Sequence, residues 1–369
     1  MDSPLTKKSE VMDMPIYLQF IDGEVKDPHH RWFVIEEKSG VDKGTDDELR
    51  PELWIHKSEQ DRVRVVKLPN IGYATAAAPF LVAKSRLFFV GGVTVRGGWD
   101  GKVDNNGILY IDLQQRSPIS WSRFATRNFK YVRTAVVSDD GDWIYLLTTA
   151  DRVLRFNCHH LEDKPEAFPL PFTGRPIAST GSKMLLYNPA REAKPGLLGF
   201  CHLESRSWEE ICSFPVDKDP FTCWRFPKWS ATVVLAQDFV IDFGSFHPRT
   251  GMYEPALYVF DIRNNVWLPE PVQGLSNDGI VLPDPDVKSQ WLISYTALMQ
   301  VRRDELKFAL VWSKLCNADD DQTEVHWSKF ILHIQNNDDQ DVSLPFQAVD
   351  LSYGICYGGN THLIKSTVG

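Results

Sequence analysis

The chain has 369 residues, 43% of them apolar, and 40 basic against 49 acidic side chains give a net charge of −9. That supply of apolar residues suffices for a large core and excludes a disordered chain, and the acidic balance argues against a general phosphate-binding surface and against nucleic acid as partner. Six cysteines without C-x-x-C spacing, a first segment lacking a continuous apolar stretch, and a longest apolar run (74–82) too short for a bilayer predict a soluble protein with reduced thiols. The expected location is the cytoplasm or nucleus, without membrane contact.

Residues 1–13 read as a disordered N-terminal tail and 14–369 as a single domain. From there a short β-rich run closing on a small or turn-prone residue recurs along the chain. It appears as RWFVIEE (31–37), LFFVGG (87–92), WIYLLTT (143–149), MLLYNP (184–189), FVIDFGS (239–245) and FALVWSK (308–314). Successive starts lie roughly 40 to 70 residues apart, near the interval of about 50 expected of propeller blades. A further apolar strand precedes the run across a tight turn, as in 78–90, 134–147 and 231–243. In 134–147 the pair Asp140-Gly141 is a hairpin signal, because glycine tolerates the positive φ such turns need.

Each run is followed by a second hairpin, at 52–69, 108–125, 152–170, 197–214, 256–271 and 328–346. Apolar stripes at helical spacing are missing, and Pro or Gly interrupts most windows long enough to hold one. A four-stranded sheet that is apolar on both faces cannot stand alone, and radial stacking buries both faces. The expected fold is therefore all-β, a six-bladed β-propeller of four-stranded antiparallel blades, with seven blades as the alternative. Residues 348–366 either close the ring against the N-terminal strand or form the core of a seventh blade.

These features resemble the kelch family of β-propellers over nearly the whole chain. The matching residues are Gly91-Gly92 after LFFV, Gly244-Ser245 after VIDF and Gly358-Gly359 after ICY, with the aromatic and Trp pairs Tyr110/Trp121 and Tyr258/Trp267. In that family the diglycine ends the second strand and lets blades approach closely, and the aromatic and Trp pack between blades. The form here is divergent, because the other runs lack the diglycine, and in that looseness it resembles plant kelch proteins, although their usual N-terminal F-box is missing. The resemblance implies a propeller that binds a protein or peptide.

In such blades the first and third turns point to one end of the ring, and the second turns and crossovers to the other. The first and third turns are mostly short, whereas the second turns 38–51, 93–107, 188–196, 245–255 and 316–326 and the crossovers 214–230 and 269–291 are long. Long loops on a rigid scaffold are the usual seat of function. That end carries Arg96, Trp99, Arg127, Tyr131, Arg133, Trp224, Arg225, Trp229, His247, Arg249 and Tyr253 as candidate binding residues. Arg and Trp are typical interface anchors, and the guanidinium fork suits carboxylates, so the expected partner is an acidic protein or peptide bound by a monomer. The competing expectation is a small-molecule enzyme, a cofactor-independent isomerase, cyclase or lyase working in the central funnel.

Motifs for chemistry are sparse. Glu48, Glu52 and His56 have the spacing of an iron-associated pattern in glucosinolate specifier proteins, with Glu replacing Asp, and such ligands suit Fe(II). Their expected place beside an outer strand of the first blade makes them strand-edge residues, and no cofactor is assigned. His159 and His160 are adjacent on a strand and so face opposite ways. The acidic loop 316–324 lacks the spacing and glycine of a calcium loop.

Overall fold

The structure is a computed structural model. It describes residues 14–22, 30–37, 55–56, 61–66, 75–76, 80–90, 93–95, 102–104, 107–113, 122–125, 132–148, 152–170, 174–191, 194–221, 233–275, 293–302, 305–315, 323–334, 346–357 and 361–368. The expected tail, 1–13, lies outside them.

The chain opens with β1 (Ile16–Asp22), β2 (His30–Glu37), β3 (Ile55–His56), β4 (Asp61–Val66), β5 (Thr75–Ala76), β6 (Phe80–Ala83) and β7 (Arg86–Val90). Next come β8 (Val93–Val95), β9 (Lys102–Asp104), β10 (Gly107–Asp112), β11 (Ser122–Ala125), β12 (Val132–Val137), β13 (Trp143–Thr148), β14 (Arg152–Asn157) and β15 (Glu166–Pro169). The middle of the chain supplies β16 (Arg175–Thr180), β17 (Lys183–Asn188), β18 (Gly196–His202) and β19 (Ser207–Phe214), then a single 3-10 turn (Val216–Lys218). The rest is β20 (Val233–Ala236), β21 (Phe239–Phe246), β22 (Tyr253–Asp261), β23 (Val266–Trp267), β24 (Ile293–Arg302), β25 (Lys307–Leu315), β26 (Thr323–Ile334), β27 (Phe346–Tyr357) and β28 (Thr361–Val368). Among the described residues no helix is long and apolar enough to cross a membrane.

These strands build an all-β propeller. Five antiparallel blades have four strands each: β28-β1-β2-β4, β6-β7-β10-β11, β12 to β15, β16 to β19, and β20 to β23. A five-stranded sheet, β24-β25-β26-β27-β3, stands beside them, and β5-β8-β9 form a small sheet of their own. The inner strands neighbour one another in a closed circuit: β28 beside β6, then β12, β16, β20 and β24, which returns to β28.

The expectation of six four-stranded blades, or of seven, is corrected. Five blades have four strands, because the residues expected to complete a sixth take a fifth strand from elsewhere. Cys356 and Ile355 in β27 pair with Ile55 and His56 of β3, a segment expected in the outer hairpin of the first blade. The first blade is built differently as well. Its inner strand is the C-terminal β28, paired antiparallel to β1 from Ile16↔Val368 to Asp22↔Thr361. β1 is therefore its second strand and β2 its third. Of the segment 348–366, the part in β28 from Thr361 closes the ring against the N-terminal strand, whereas 348–357 belong to β27 of the five-stranded sheet.

Side chains alternate between the two faces of a strand, so a blade buried on both faces needs continuous apolar runs. In β7, Leu87 and Phe89 face the first blade, where Tyr17 packs, and Phe88 and Val90 face the third. In β13, Ile144 and Leu146 join the cluster shared with the second blade, and Tyr145 and Leu147 the one shared with the fourth. A fully buried Phe contributes about 1.5–3 kcal/mol, and both blades depend on the contact. Two glycines are set by local geometry. Gly141 sits at φ +75, as its hairpin requires. At Gly199 in β18 a Cβ would lie 2.3 Å from the Trp208 ring and 2.5 Å from the Glu209 carbonyl, so the indole packs there only against glycine.

Candidate binding face

In the second to fifth blades the antiparallel order sends the first and third turns to one end of the ring. The first turns are short, and they are tied to neighbouring turns of the same end. In the first turns, Lys84 Nζ of the second blade lies 2.9 Å from Asp142 of the third. Asp142 also lies 3.1 Å from His159 in its own blade's third turn, and Ser182 of the fourth blade donates to Asp139 at 3.4 Å. Arg86 donates to the Cys158 carbonyl and Arg263 pairs with Asp238. The Lys84 ammonium and the His159 ring hold the Asp142 carboxyl below its ordinary range, and Asp142 raises Lys84 in turn. The Ser138 hydroxyl and the Asp142 amide lower Asp140. His159 thus belongs to a chain of polar contacts, and among the described residues no group of three His, Cys, Asp or Glu side chains could hold a metal.

The described parts of the second turns and crossovers lie at the opposite end. The stretch 93–107, expected as a loop, contains the hairpin β8-β9, paired from Val93↔Asp104 to Val95↔Lys102. The crossover leading into the second blade adds β5 through Thr75↔Thr94 and Ala76↔Val93. A second turn and a crossover therefore make a sheet of their own, and Arg96 and Trp99 fall between its two longer strands in sequence.

In the fifth blade the second turn is fixed by His247. The backbone N–H groups of Arg249 and Thr250 donate to its Nδ1 at 3.2 and 3.3 Å. Nδ1 accepts, so the ring proton sits on Nε2, which faces the Pro269 carbonyl at 3.2 Å. The ring is buried and meets Tyr258 edge-on at 5.2 Å. On the turn so held, Arg249 is exposed and Met252 is 69% exposed.

Two further arrangements occupy this end. The hydroxyl of buried Tyr187, at the end of β17, donates to Asp219 of the crossover at 2.6 Å, and burial together with that carboxylate pushes the phenol's pKa up. Beside the second turn of the five-stranded sheet, the rings of Trp312 and His326 stack at 3.9 Å and 1°. Glu324 lies 3.1 Å from His326 Nε2. The sequence reading missed this trio; its signal was Glu-x-His at alternate strand positions, which share a face.

The eleven expected binding residues divide as follows. Arg96, Trp99, Arg127, Tyr131, Trp224, Arg225 and Trp229 lie outside the described residues, as do Glu48 and Glu52. Arg133 falls where the β12–β13 register shifts, between Val132 and Thr134, and Tyr253 pairs with Phe246 at the start of β22. Arg249 is on the surface, whereas His247 is a buried strut. His56 stands opposite Ile355 in the five-stranded sheet. The Trp267 expected between blades is there: it is 2% exposed, in the cluster shared by the fourth and fifth blades, and donates from Nε1 to the Pro220 carbonyl at 3.0 Å.

No protein-family model matches the chain, and no curated protein matches it. Among solved structures it is similar to YjhT, at 9% identity and a TM-score of 0.45, over 92% of this chain and 98% of that one. It is similar to the β-propeller domain of Cps50 (Swd1) from Myceliophteria thermophila at 12% identity and a TM-score of 0.36, over 77% and 73%. BamB from Moraxella catarrhalis is 12% identical with a TM-score of 0.30, over 89% and 79%. Likeness at these levels concerns the fold alone, and the propeller stands on its own strand pairing.

Proposed function

We propose that this chain is a kelch-like propeller that binds an acidic segment of a partner protein at the end carrying the second turns and crossovers. The observation that carries this reading is the small β5-β8-β9 sheet, a second turn and a crossover paired with each other at that end. Loops ordered by their own hydrogen bonds lose less freedom on binding, which favours affinity. The His247 turn, with Arg249 and Met252 exposed on it, has the same character. Arginine gives the bidentate fork that selects carboxylates, and methionine is an adaptable apolar contact.

The test is binding to arrayed peptides of graded Asp and Glu content. Binding should strengthen with acidity, and Arg249→Ala, Arg225→Ala and Trp99→Ala should each weaken it by about tenfold, as loss of an interface anchor does, without lowering the thermal midpoint. Variants that bind as the parent does would show that the face is misassigned.

A further inference from the structure

Three turns at the second-turn end stand on the seam between the fourth and fifth blades. In the second turn of the fourth blade the N–H groups of Arg191 and Lys194 each donate to the other's carbonyl at 2.9 Å. Ala190, just before that turn, packs against the apolar cluster that the two blades share. The crossover after β19 reaches the same cluster through buried Phe221, whose ring meets Tyr187 edge-on at 4.8 Å and whose N–H donates to Asp219 at 2.9 Å. The His247 turn of the fifth blade leans on the cluster through Tyr258. One core thus positions all three turns.

Their tips combine positive charge with apolar surface. Arg191, Lys194, Lys218 and Arg249 are exposed, and among the described residues no carboxylate pairs with any of them. The exposed carboxylates beside them are Asp217 and Glu270. In a chain whose net charge is −9, this excess of cations is local. Of the three large apolar side chains exposed among the described residues, two lie on these turns, Val216 at 55% and Met252 at 69%. A single exposed apolar residue is ordinary. Here each has a cation within three positions in sequence, Lys218 beside Val216 and Arg249 beside Met252, and Arg and Met are enriched where proteins meet.

We infer that this seam is the docking surface for a protein segment that carries large apolar residues among its carboxylates. The inference rests on the acidic-partner reading above and narrows it: carboxylates meet the four cations, and apolar side chains meet Val216 and Met252. A nucleic acid would engage the cations through its phosphates but leave both apolar tips in water.

The experiment is fluorescence anisotropy of the full chain with short labelled peptides of equal Asp and Glu content, bearing either Leu or Ser at the remaining positions, and with a single-stranded oligonucleotide of equal charge. The Leu peptide should bind about tenfold tighter than the Ser peptide, the scale of one apolar anchor. Val216→Ser combined with Met252→Ser should erase that difference and leave the Ser peptide's affinity unchanged. Arg191→Glu combined with Lys194→Glu should weaken both peptides by about tenfold. Equal affinity for the two peptides, or acid-dependent binding that these variants leave unchanged, would overturn the inference while the acidic-partner reading stands. Binding that does not depend on acidity would overturn both. An oligonucleotide bound more tightly than either peptide would overturn the inference in favour of a nucleic-acid surface.

Discussion

A neutral imidazole that accepts at one nitrogen and donates at the other can join several backbone groups, and His247 does so. It holds the N–H groups of Arg249 and Thr250 and the carbonyl of Pro269, twenty-two residues away in sequence. His247→Ala should therefore remove these hydrogen bonds together with a buried ring and lower stability by about 1–3 kcal/mol. Denaturant titration should show a lower midpoint at unchanged slope; an unchanged midpoint would mean that the turn holds itself. His247 was legible in the sequence as a residue of the right loop, but not in its role. A histidine in a polar loop reads the same whether its ring meets a partner or its own backbone. Arg249, its neighbour, lies exposed on the turn so held.

The elements that the sequence foretold best are those made by neighbouring strands. Hairpins expected at 78–90, 134–147, 231–243 and 256–271 are β6-β7, β12-β13, β20-β21 and β22-β23. Apolar alternation and a turn residue decide such pairs locally. The short turns that join them carry a testable electrostatic load. Asp142 is held below its ordinary 3.8 by Lys84 and His159. A carboxyl lowered in the folded state stabilises above its unfolded pKa, and that contribution is lost as pH falls through the folded value. The stability gap between the parent and Asp142→Asn should thus be present at neutral pH and close on acidification below 3.8. A gap independent of pH would mean that Lys84–Asp142 contributes nothing as an ion pair. β3 was the hardest element to place. Its two residues, Ile55 and His56, carry no mark of which sheet edge they will meet, and they join β27 rather than β4.

At the scale of the molecule, the ring rests on a pairing between the two ends of the chain. The composition and the recurring runs showed that stacked sheets were needed, because strands such as LFFV are apolar on both faces. They did not fix how many strands each sheet would hold. Strand count depends on long-range partners, and the inner strand of the first blade comes from the far end of the sequence. Closure also explains why β1 is buried although it begins the described chain: Ile16 and Leu18 are 0% exposed, packed against the five-stranded sheet.

The central claim is this closure of β28 on β1, and a cross-strand disulfide tests it most directly. Tyr17 faces Thr367 in the register, and facing antiparallel residues lie about 4.5–5.5 Å apart at Cα, within disulfide reach. Tyr17→Cys combined with Thr367→Cys should oxidise to an intramolecular bond, identified by peptide mass mapping against the native cysteines. A folded double variant in which positions 17 and 367 stay unlinked would contradict it.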